Sequence, residues 1–523
     1  MKKGLLLVLC SSLVLSAMTG CGSTGTKEGG SAVTTSISAS QASSSNAPAA
    51  TEITNLVWQY PTPGNTGSGF QAVEDKFNEM LEKDVGAHVK FELVPLAESQ
   101  KKAQLMVSAG EQLDISLTAF NSIGPLVESS LITPLDELVD KYGQAIKEEC
   151  GAYLYTASYG GKLYGVPPAY KQANGYGYLA STELLKKYGI TIDDKKTYTL
   201  DEMEQIFAKV KAGEGKKFYC EIPWNTTPEP CNNGWLEYDK VGSAIGNGVL
   251  MLNRGFDTAK IENIFATDEY KKYAEMKYRW AKAGYISPDA AITKEFPDSL
   301  MQTKNYLGVF YWADPSTKDD YSKTAGYDLT LIHTVDPYVT GDGGNKFNWN
   351  IPITSVSPEK AMQALNYVYS NYDATKLIQF GIEGQSYKVV QKTDKGEQIE
   401  YLDKDTSKLP YYNAYGIWGN RLKWPIVAPA PIERNQIMRD WDNAVPKTRY
   451  SPSIGYSFVQ TSVATEIAAV QTVVNQYTPS INAGALDPAK ALPEFLAALK
   501  AAGVDKIVAE NQKQYDAWLA GKK

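Results

Sequence analysis

The sequence predicts an α/β protein whose folded body has two lobes. Strand-like and helix-like patterns alternate from Thr54 onward, and the alternation starts again after the proline pair at 167–168. The body beginning at Glu52 has about 470 residues, which is too many for one small core and suits two. Such alternation is typical of the α/β class, in which helices cover both faces of a mostly parallel sheet.

The first elements of the body follow the order βαβαβ. Apolar side chains recur at helical spacing between Phe70 and Leu81. Gly110 is placed to end a second helix in a left-handed conformation. We expect strands at 54–58, 89–94 and 114–118, helices at 70–81 and 99–109, and a loop at 59–64.

The middle of the chain predicts a crossing between the lobes, and the end predicts helices. Residues 161–168 contain two prolines, which suit an extended crossing because proline donates no ladder hydrogen bond. Helices are expected at 181–188 and at 200–212, the second capped by Thr199. Apolar stripes from Val463 onward predict closing helices, one entered at Asp487 and ended by Gly503, and we interpret these stripes as core packing.

The first 51 residues read as an export signal followed by a tether. Residues 1–20 have a basic start and a short apolar run, which is typical of a secretory signal peptide. Met-Thr-Gly-Cys at 18–21 resembles the bacterial lipobox, which implies lipidation of Cys21; an ordinary signal peptide with a chance cysteine is the alternative. Of the 30 residues from 22 to 51, 23 are Ser, Thr, Gly or Ala, a composition that predicts a disordered tether.

Charge and composition exclude several kinds of function. A net charge of −7 argues against a nucleic-acid partner. Two histidines in the whole chain leave little material for histidine metal sites or Ser-His-Asp catalysis, so no metal or cofactor is expected. Cys150, Cys220 and Cys231 lie in the body, where Cys220 and Cys231 form either a disulfide or two buried thiols.

The aromatic residues favour a site for sugars. There are 34 Tyr and 10 Trp against 14 Phe, and rings with a polar edge suit a pyranose, which has an apolar face and a hydroxyl rim. In open α/β sheets ligands bind beyond the carboxyl ends of strands. The residues in such loops are Trp58, Gln59, Tyr60, Phe120, Asn121, Trp312 and Trp349.

Several segments resemble family 1 extracellular solute-binding proteins of ABC sugar importers. They are 106–115, 131–138 and 161–167, and Gly-Ile-Glu-Gly at 381–384 with Tyr387 resembles the lipoprotein branch that has a C-terminal domain of unknown function. The resemblance implies a type II periplasmic-binding-protein fold, two α/β lobes joined by crossing strands. Lobe one is expected at 52–165 and 340–390, and lobe two at 166–339 and 391–523.

The resemblance also implies which residues contact ligand. Sugar-binding relatives use the loops after the first and third strands, the first crossing, and aromatic residues of lobe two. The matching positions are Trp58, Gln59, Tyr60, Phe120, Asn121, Tyr170 and Trp312, with Trp224, Trp235, Trp418, Asn420 and Arg421 as further candidates.

The function expected from these features is capture and delivery of a solute. The chain is expected to bind a carbohydrate, an oligosaccharide rather than a monosaccharide, and to deliver it as a monomer to an ABC permease at the extracytoplasmic face of a Gram-positive bacterial membrane. No enzymatic activity is expected. A binding protein for peptides or another polar solute is one alternative; a surface glycoside hydrolase using carboxylates such as Asp314, Glu383 or Asp442 is another.

Overall fold

The computed structural model describes residues 52–62, 67–119, 123–224, 239, 250–252, 260–340 and 347–521. The predicted signal peptide, Cys21 and the tether therefore lie outside the described residues. Within these ranges every helix is too short or too polar to cross a membrane.

The strands range from two to eleven residues in length. They are β1 (Thr54–Thr62), β2 (Ala87–Pro95), β3 (Ser116–Ala119), β4 (Ser158–Tyr159), β5 (Lys162–Leu163), β6 (Ala173–Ser181), β7 (Tyr219–Glu221), β8 (Leu250–Leu252), β9 (Ile261–Asn263), β10 (Tyr306–Trp312), β11 (Leu329–Val339), β12 (Phe347–Asn350), β13 (Tyr387–Thr393), β14 (Gly396–Tyr401) and β15 (Ile426–Val427).

The helices are concentrated between the strands and at the end of the chain. They are α1 (Phe70–Val85), α2 (Ser99–Ser108), α3 (Gly124–Glu128), α4 (Asp136–Tyr142), α5 (Gln144–Cys150), α6 (Thr182–Lys187), α7 (Leu200–Gly213), α8 (Asp268–Lys282), α9 (Pro297–Gln302), α10 (Thr317–Ala325), α11 (Pro358–Ser370), α12 (Tyr372–Phe380), α13 (Arg434–Asn443), α14 (Ala464–Asn482), α15 (Pro488–Ala501) and α16 (Val504–Gly521).

Lobe one is built on β1, β2, β3 and β12. β1 pairs in parallel with β2, and a parallel bridge between Trp58 and Ile115 connects β1 to the chain that enters β3. β3 pairs antiparallel with β12, which arrives from the other lobe. The core of lobe one lies between this sheet and helices that include α1, α11 and α12. The predicted βαβαβ order is confirmed, from β1 through α1, β2 and α2 to β3.

Lobe two is built on a four-stranded sheet in the order β11-β6-β10-β7. β6 runs antiparallel to both β10 and β11, whereas β10 and β7 are parallel. Residues from α7, α8, α14, α15 and α16 form the larger core of this lobe. The prediction of a mostly parallel sheet therefore fits lobe one, where β1 pairs in parallel with β2 and bridges in parallel to Ile115. It is wrong for lobe two, where β6 is antiparallel to both of its neighbours.

Two further boundaries differ from the prediction. The expected loop at 59–64 begins late, since β1 continues to Thr62 and pairs Pro61 with Val94 of β2. The chain is also predicted to leave lobe one for lobe two at residue 391. It leaves later, because Ile417 and Trp418 still belong to the core of lobe one. The chain packs on Ala173 and Val339 of the lobe-two strands at Val445, and it reaches the larger core of lobe two at Tyr456.

Local signals in the sequence place the helix ends correctly. Thr199 and Glu202 form a reciprocal capping box at the start of α7. Asp487 caps α15 through the backbone N–H of Ala489, and Gly110 has the predicted positive φ of 73° after α2. Cys220 is a free buried thiol whose sulfur lies 3.6 Å from the carbonyl oxygen of Phe207, whereas Cys231 lies outside the described residues.

Replacing Trp349 by Ala is expected to destabilise lobe one by about 3–5 kcal/mol, because the ring is fully buried and its loss leaves a large cavity. Ile353→Ala is the control, since this side chain is 57% exposed and its truncation is expected to cost less than about 0.5 kcal/mol. Urea unfolding measures both changes. Equal and small losses in the free energy of unfolding of the two variants would contradict the core position of Trp349.

Candidate functional site

Three of the predicted ligand-binding tryptophans are core residues. Trp58, Trp349 and Trp418 are each 0% exposed, and the rings of Trp349 and Trp418 lie 4.7 Å apart in the core of lobe one. The indole N–H of Trp349 donates to the carbonyl oxygen of Ile417 at 2.9 Å. A ligand has no access to such rings, and we withdraw all three as binding residues.

Gln59 and Tyr60 are also structural, because β1 extends past them. The side-chain amide of Gln59 donates to the carbonyl oxygen of Ser99 and accepts from the backbone N–H of Leu117. The hydroxyl of Tyr60 lies 2.7 Å from the side-chain nitrogen of Asn413 and is buried. The prediction placed these side chains in a loop, and it is wrong because they point into the packed strand pair and its helices.

Partly exposed aromatic rings do meet at the carboxyl end of the lobe-two sheet. Trp224, just beyond β7, stacks on Tyr311 of β10 with ring centroids 5.2 Å apart and planes 24° apart. Trp312 lies edge-on to Tyr311 at 4.9 Å and to Trp224 at 6.0 Å. The indole N–H of Trp224 donates to the carbonyl oxygen of Phe310 at 2.9 Å, which fixes the ring. Two predicted residues, Trp224 and Trp312, thus belong to one aromatic platform.

A buried ion pair joins this strand end to the crossing between lobes. The Nζ of Lys171 lies 3.3 Å from a carboxylate oxygen of Asp314, and each side chain is only 13% exposed. The same Nζ lies 5.2 Å from the centre of the Trp441 ring on α13. The close approach needs Gly175, where a Cβ atom would come within 2.5 Å of the carbonyl oxygen of Ala313. Charge and aromatic surface therefore adjoin at this point.

The carboxyl of Asp314 is held in its charged form. Burial by itself raises the pKa of Asp314, but Lys171 and two hydrogen bonds from Ser316 outweigh burial and lower that pKa below its ordinary value. A cavity of about 870 Å³ opens beside this carboxyl between α10, β11 and α13, with Arg434 and Trp441 in its lining. Its volume lies in the range of small-molecule sites.

Tyr170 and Arg421 complete the cluster on the crossing. The guanidinium carbon of Arg421 lies 3.9 Å from the centre of the Tyr170 ring, a cation–π contact. The backbone holds the two together, because the N–H of Arg421 donates to the carbonyl oxygen of Ala169 at 2.9 Å. Burial lowers the pKa of the Arg421 guanidinium. Both predicted residues lie where the two lobes join.

Asn420 has a local structural role instead. Its side-chain oxygen accepts the backbone N–H of Leu422, and its side-chain nitrogen donates to Glu149. Phe120, Asn121 and Trp235 lie outside the described residues.

The carboxylates considered for hydrolysis are differently placed. Asp442 accepts the backbone N–H groups of Gln172 and Ala173, next to the ion pair of Asp314, whereas Glu383 is exposed near β13.

Sequence reasoning missed Lys171, Arg434 and Trp441 as site residues. Lys171 directly follows a predicted site residue, which is a usable signal. Trp441 is the one aromatic ring in the sequence of α13, which is a second signal. Arg434 forms two hydrogen bonds to Asp320 of α10, and nothing in the sequence pairs these distant residues.

Comparison with known proteins agrees with this architecture. Residues 74–382 match the family described as bacterial extracellular solute-binding protein, and residues 452–520 match a domain of unknown function, DUF3502. The family match covers more than half of the chain, so the chain belongs to the bacterial extracellular solute-binding proteins. The predicted family and its C-terminal domain are both confirmed.

Individual relatives come from streptococci and bifidobacteria. A carbohydrate ABC transporter substrate-binding protein of Streptococcus pneumoniae serotype 4 is 25% identical over 456 residues, which is 85% of this chain and 87% of the relative. The crystal structure of an N-glycan transport solute-binding protein from Streptococcus pneumoniae matches with a TM-score of 0.73 at 22% identity, covering 90% of this chain and 100% of that one. An extracellular solute-binding protein from Bifidobacterium longum subsp. infantis matches with a TM-score of 0.62 at 13% identity, covering 89% and 98%. These structures confirm the predicted two-lobed fold.

Replacing Lys171 by Met is expected to raise the pKa of Asp314 above that of an ordinary aspartate, because burial is then opposed only by Ser316. The wild-type pKa is lowered, so the pair stabilises the fold above the ordinary carboxyl pKa and loses this effect as the pH falls through the lowered value. Carboxyl NMR titration measures the change. The exposed Lys318→Met is the control, and an unchanged Asp314 pKa in Lys171→Met would contradict the pairing.

Proposed function

We propose that this protein captures a carbohydrate between its lobes and delivers it to the membrane permease of an ABC importer. The observation that carries the proposal is the platform of Trp224, Tyr311 and Trp312 beside the Lys171–Asp314 pair. Aromatic faces cover the apolar face of a sugar, and charged groups next to them bind its hydroxyls. This combination serves binding without needing a reactive group.

Specificity in such a site comes from the polar groups rather than from the rings. A sugar epimer that leaves a buried donor or acceptor unpaired loses roughly 1–3 kcal/mol. Asp314 and Lys171 are mostly buried and fixed by each other, so they discriminate hydroxyl positions without reorganising. Contacts made only when the lobes close shift the equilibrium toward the closed form.

The relatives support a sugar and a transporter. One is named as a carbohydrate ABC transporter substrate-binding protein, and the N-glycan transport protein is described in complexes with Man1GlcNAc and Man5GlcNAc. We infer an oligosaccharide ligand here, because a cavity of about 870 Å³ opens beside Asp314 and gives room for more than one sugar ring. The protein acts as a monomeric carrier and not as an enzyme.

We also propose that the carrier is anchored by lipid on Cys21 at the extracytoplasmic face of a Gram-positive cell membrane. The signal-like segment 1–20, the cysteine after it and the low-complexity residues 22–51 support this arrangement. Acyl chains on one cysteine hold a protein at a membrane without a spanning helix. The tether leaves the body free to approach a permease.

Trp312→Ala is expected to weaken binding of the carbohydrate ligand by at least about tenfold, because it removes one ring of the platform. An oligosaccharide screen by calorimetry first identifies the ligand of the wild-type protein, and the same titration then measures the variant. Trp518→Ala is the control, since Trp518 packs on Tyr456 and Tyr515 in the core of lobe two.

Two results would count against the carbohydrate. Peptides that raise the melting temperature when no mono- or oligosaccharide does would favour the peptide-binding alternative. Shorter products after incubation with oligosaccharides would indicate hydrolysis. Equal affinity of Trp312→Ala and wild type for a bound sugar would remove the platform from the site.

Cys21→Ser is expected to release the mature protein from the membrane fraction, because the lipid anchor cannot form. Fractionation of expressing cells and labelling with a fatty-acid analogue measure the change. Ser23→Ala, two residues further on, is the matched control and is expected to stay in the membrane fraction. Retention of Cys21→Ser in that fraction would contradict lipid anchoring.

A further inference from the structure

We propose that the captured carbohydrate carries an anionic group and that the guanidinium of Arg421 receives it. The inference rests on the proposed carbohydrate function and narrows it to acidic glycans. It depends on one feature of the site, a mostly buried cation that no carboxylate of the described residues neutralises.

Arg421 is held firmly in place by neighbours that leave its charge unpaired. The guanidinium lies 3.9 Å above the Tyr170 ring, and its carbon comes within 2.8 Å of the position that a Cβ atom on Gly416 would occupy. Its Nε is buried and donates no hydrogen bond. No ion pair of Arg421 occurs among the described residues, although such pairs are common elsewhere on the chain. The side chain is therefore preorganised and unsatisfied.

The other charges of the site already have partners. Lys171 pairs with Asp314, and Arg434 forms two hydrogen bonds to Asp320. Asp442 accepts the backbone N–H groups of Gln172 and Ala173, and burial raises its pKa, so it is a poor partner for Arg421. The ionisable groups that act on Arg421 are Tyr170, Arg434, Tyr153 and Asp314, and the like charge of Arg434 acts more strongly than Asp314.

An acidic sugar supplies the negative charge that Arg421 lacks as a partner. A buried cation without a partner is unfavourable, and stacking on Tyr170 offsets only part of that cost. The planar fork of Arg binds a carboxylate or sulfate through two parallel N–H···O bonds, whereas a neutral hydroxyl offers one weaker bond. A site with this geometry therefore discriminates in favour of an anionic ligand over its neutral counterpart.

The experiment compares sugars that differ only in charge. Wild-type protein is titrated with an oligosaccharide that has a hydroxymethyl group at C6 of one residue, with the uronate that has a carboxylate there, and with the C6 sulfate ester. We expect the anionic ligands to bind about tenfold or more tightly, since hydrogen bonds to charged groups are the stronger ones. Preference for the carboxylate alone supports the uronate form, and preference for both supports any anion.

Variants assign the preference to Arg421. Arg421→Gln is expected to lower the ratio of anionic to neutral affinity by about tenfold, to near one, and Arg421→Lys is expected to retain part of the preference because charge remains without the fork. Arg279→Gln is the matched control, because it removes an exposed Arg paired with Glu204. Rising salt concentration is expected to weaken only the anionic ligands.

Several outcomes would overturn the inference and leave the proposed function standing. One is equal binding of neutral and anionic sugars by the wild type. Another is an equal loss of both in Arg421→Gln, which would make Arg421 a structural or general sugar contact. Binding of no sugar of any charge would overturn the proposed function itself.

Discussion

The site depends on backbone pairing between two passages of chain that come from distant parts of the sequence. The N–H of Ala169 donates to the carbonyl oxygen of Gly419 at 3.0 Å, and the N–H of Arg421 returns a bond to Ala169 at 2.9 Å. This parallel bridge pairs Ala169 with Asn420, the residues that directly precede Tyr170 and Arg421. The ring and the guanidinium therefore stack on each other. Lys171 then follows with its side chain directed to the end of β10. Without this pairing, the polar and the aromatic residues of the candidate site would no longer be held in fixed positions relative to one another.

The local order of elements could be predicted from the sequence because its causes are local. Thr199 caps α7 through residues three positions away, and Gly110 takes the left-handed conformation that ends α2. The direction of strands has a different origin. β12 lies beside β3 only after the chain has passed through lobe two and returned, so no window of the sequence contains the information that makes this pair antiparallel.

The high content of Tyr and Trp was an ambiguous indication of a sugar site, because a local window of sequence does not show whether a ring is buried. Trp58 and Trp312 both lie at the end of a strand-like pattern, yet one is fully buried and the other is partly exposed. Tyrosine hydroxyls are no more diagnostic, because many are satisfied inside the protein: that of Tyr369 donates to the carbonyl oxygen of Pro167 at 2.7 Å. A polar-edged ring thus serves a core as well as a sugar, and only the fold separates the two uses.

The position of Arg421 connects charge recognition with the movement of the lobes. Its backbone holds the first crossing through Ala169, and its side chain rests on Tyr170 of the same crossing. On the proposed function, an anion bound to this guanidinium would contact the crossing between the lobes, rather than a surface remote from it. Differential contacts at such a point act directly on the open–closed equilibrium, because a ligand shifts that equilibrium only by the difference in its binding to the two states. On the proposed function, an anionic group at Arg421 would therefore add a contact on the crossing that a neutral sugar lacks, and charge at this position would favour closure around the correct ligand.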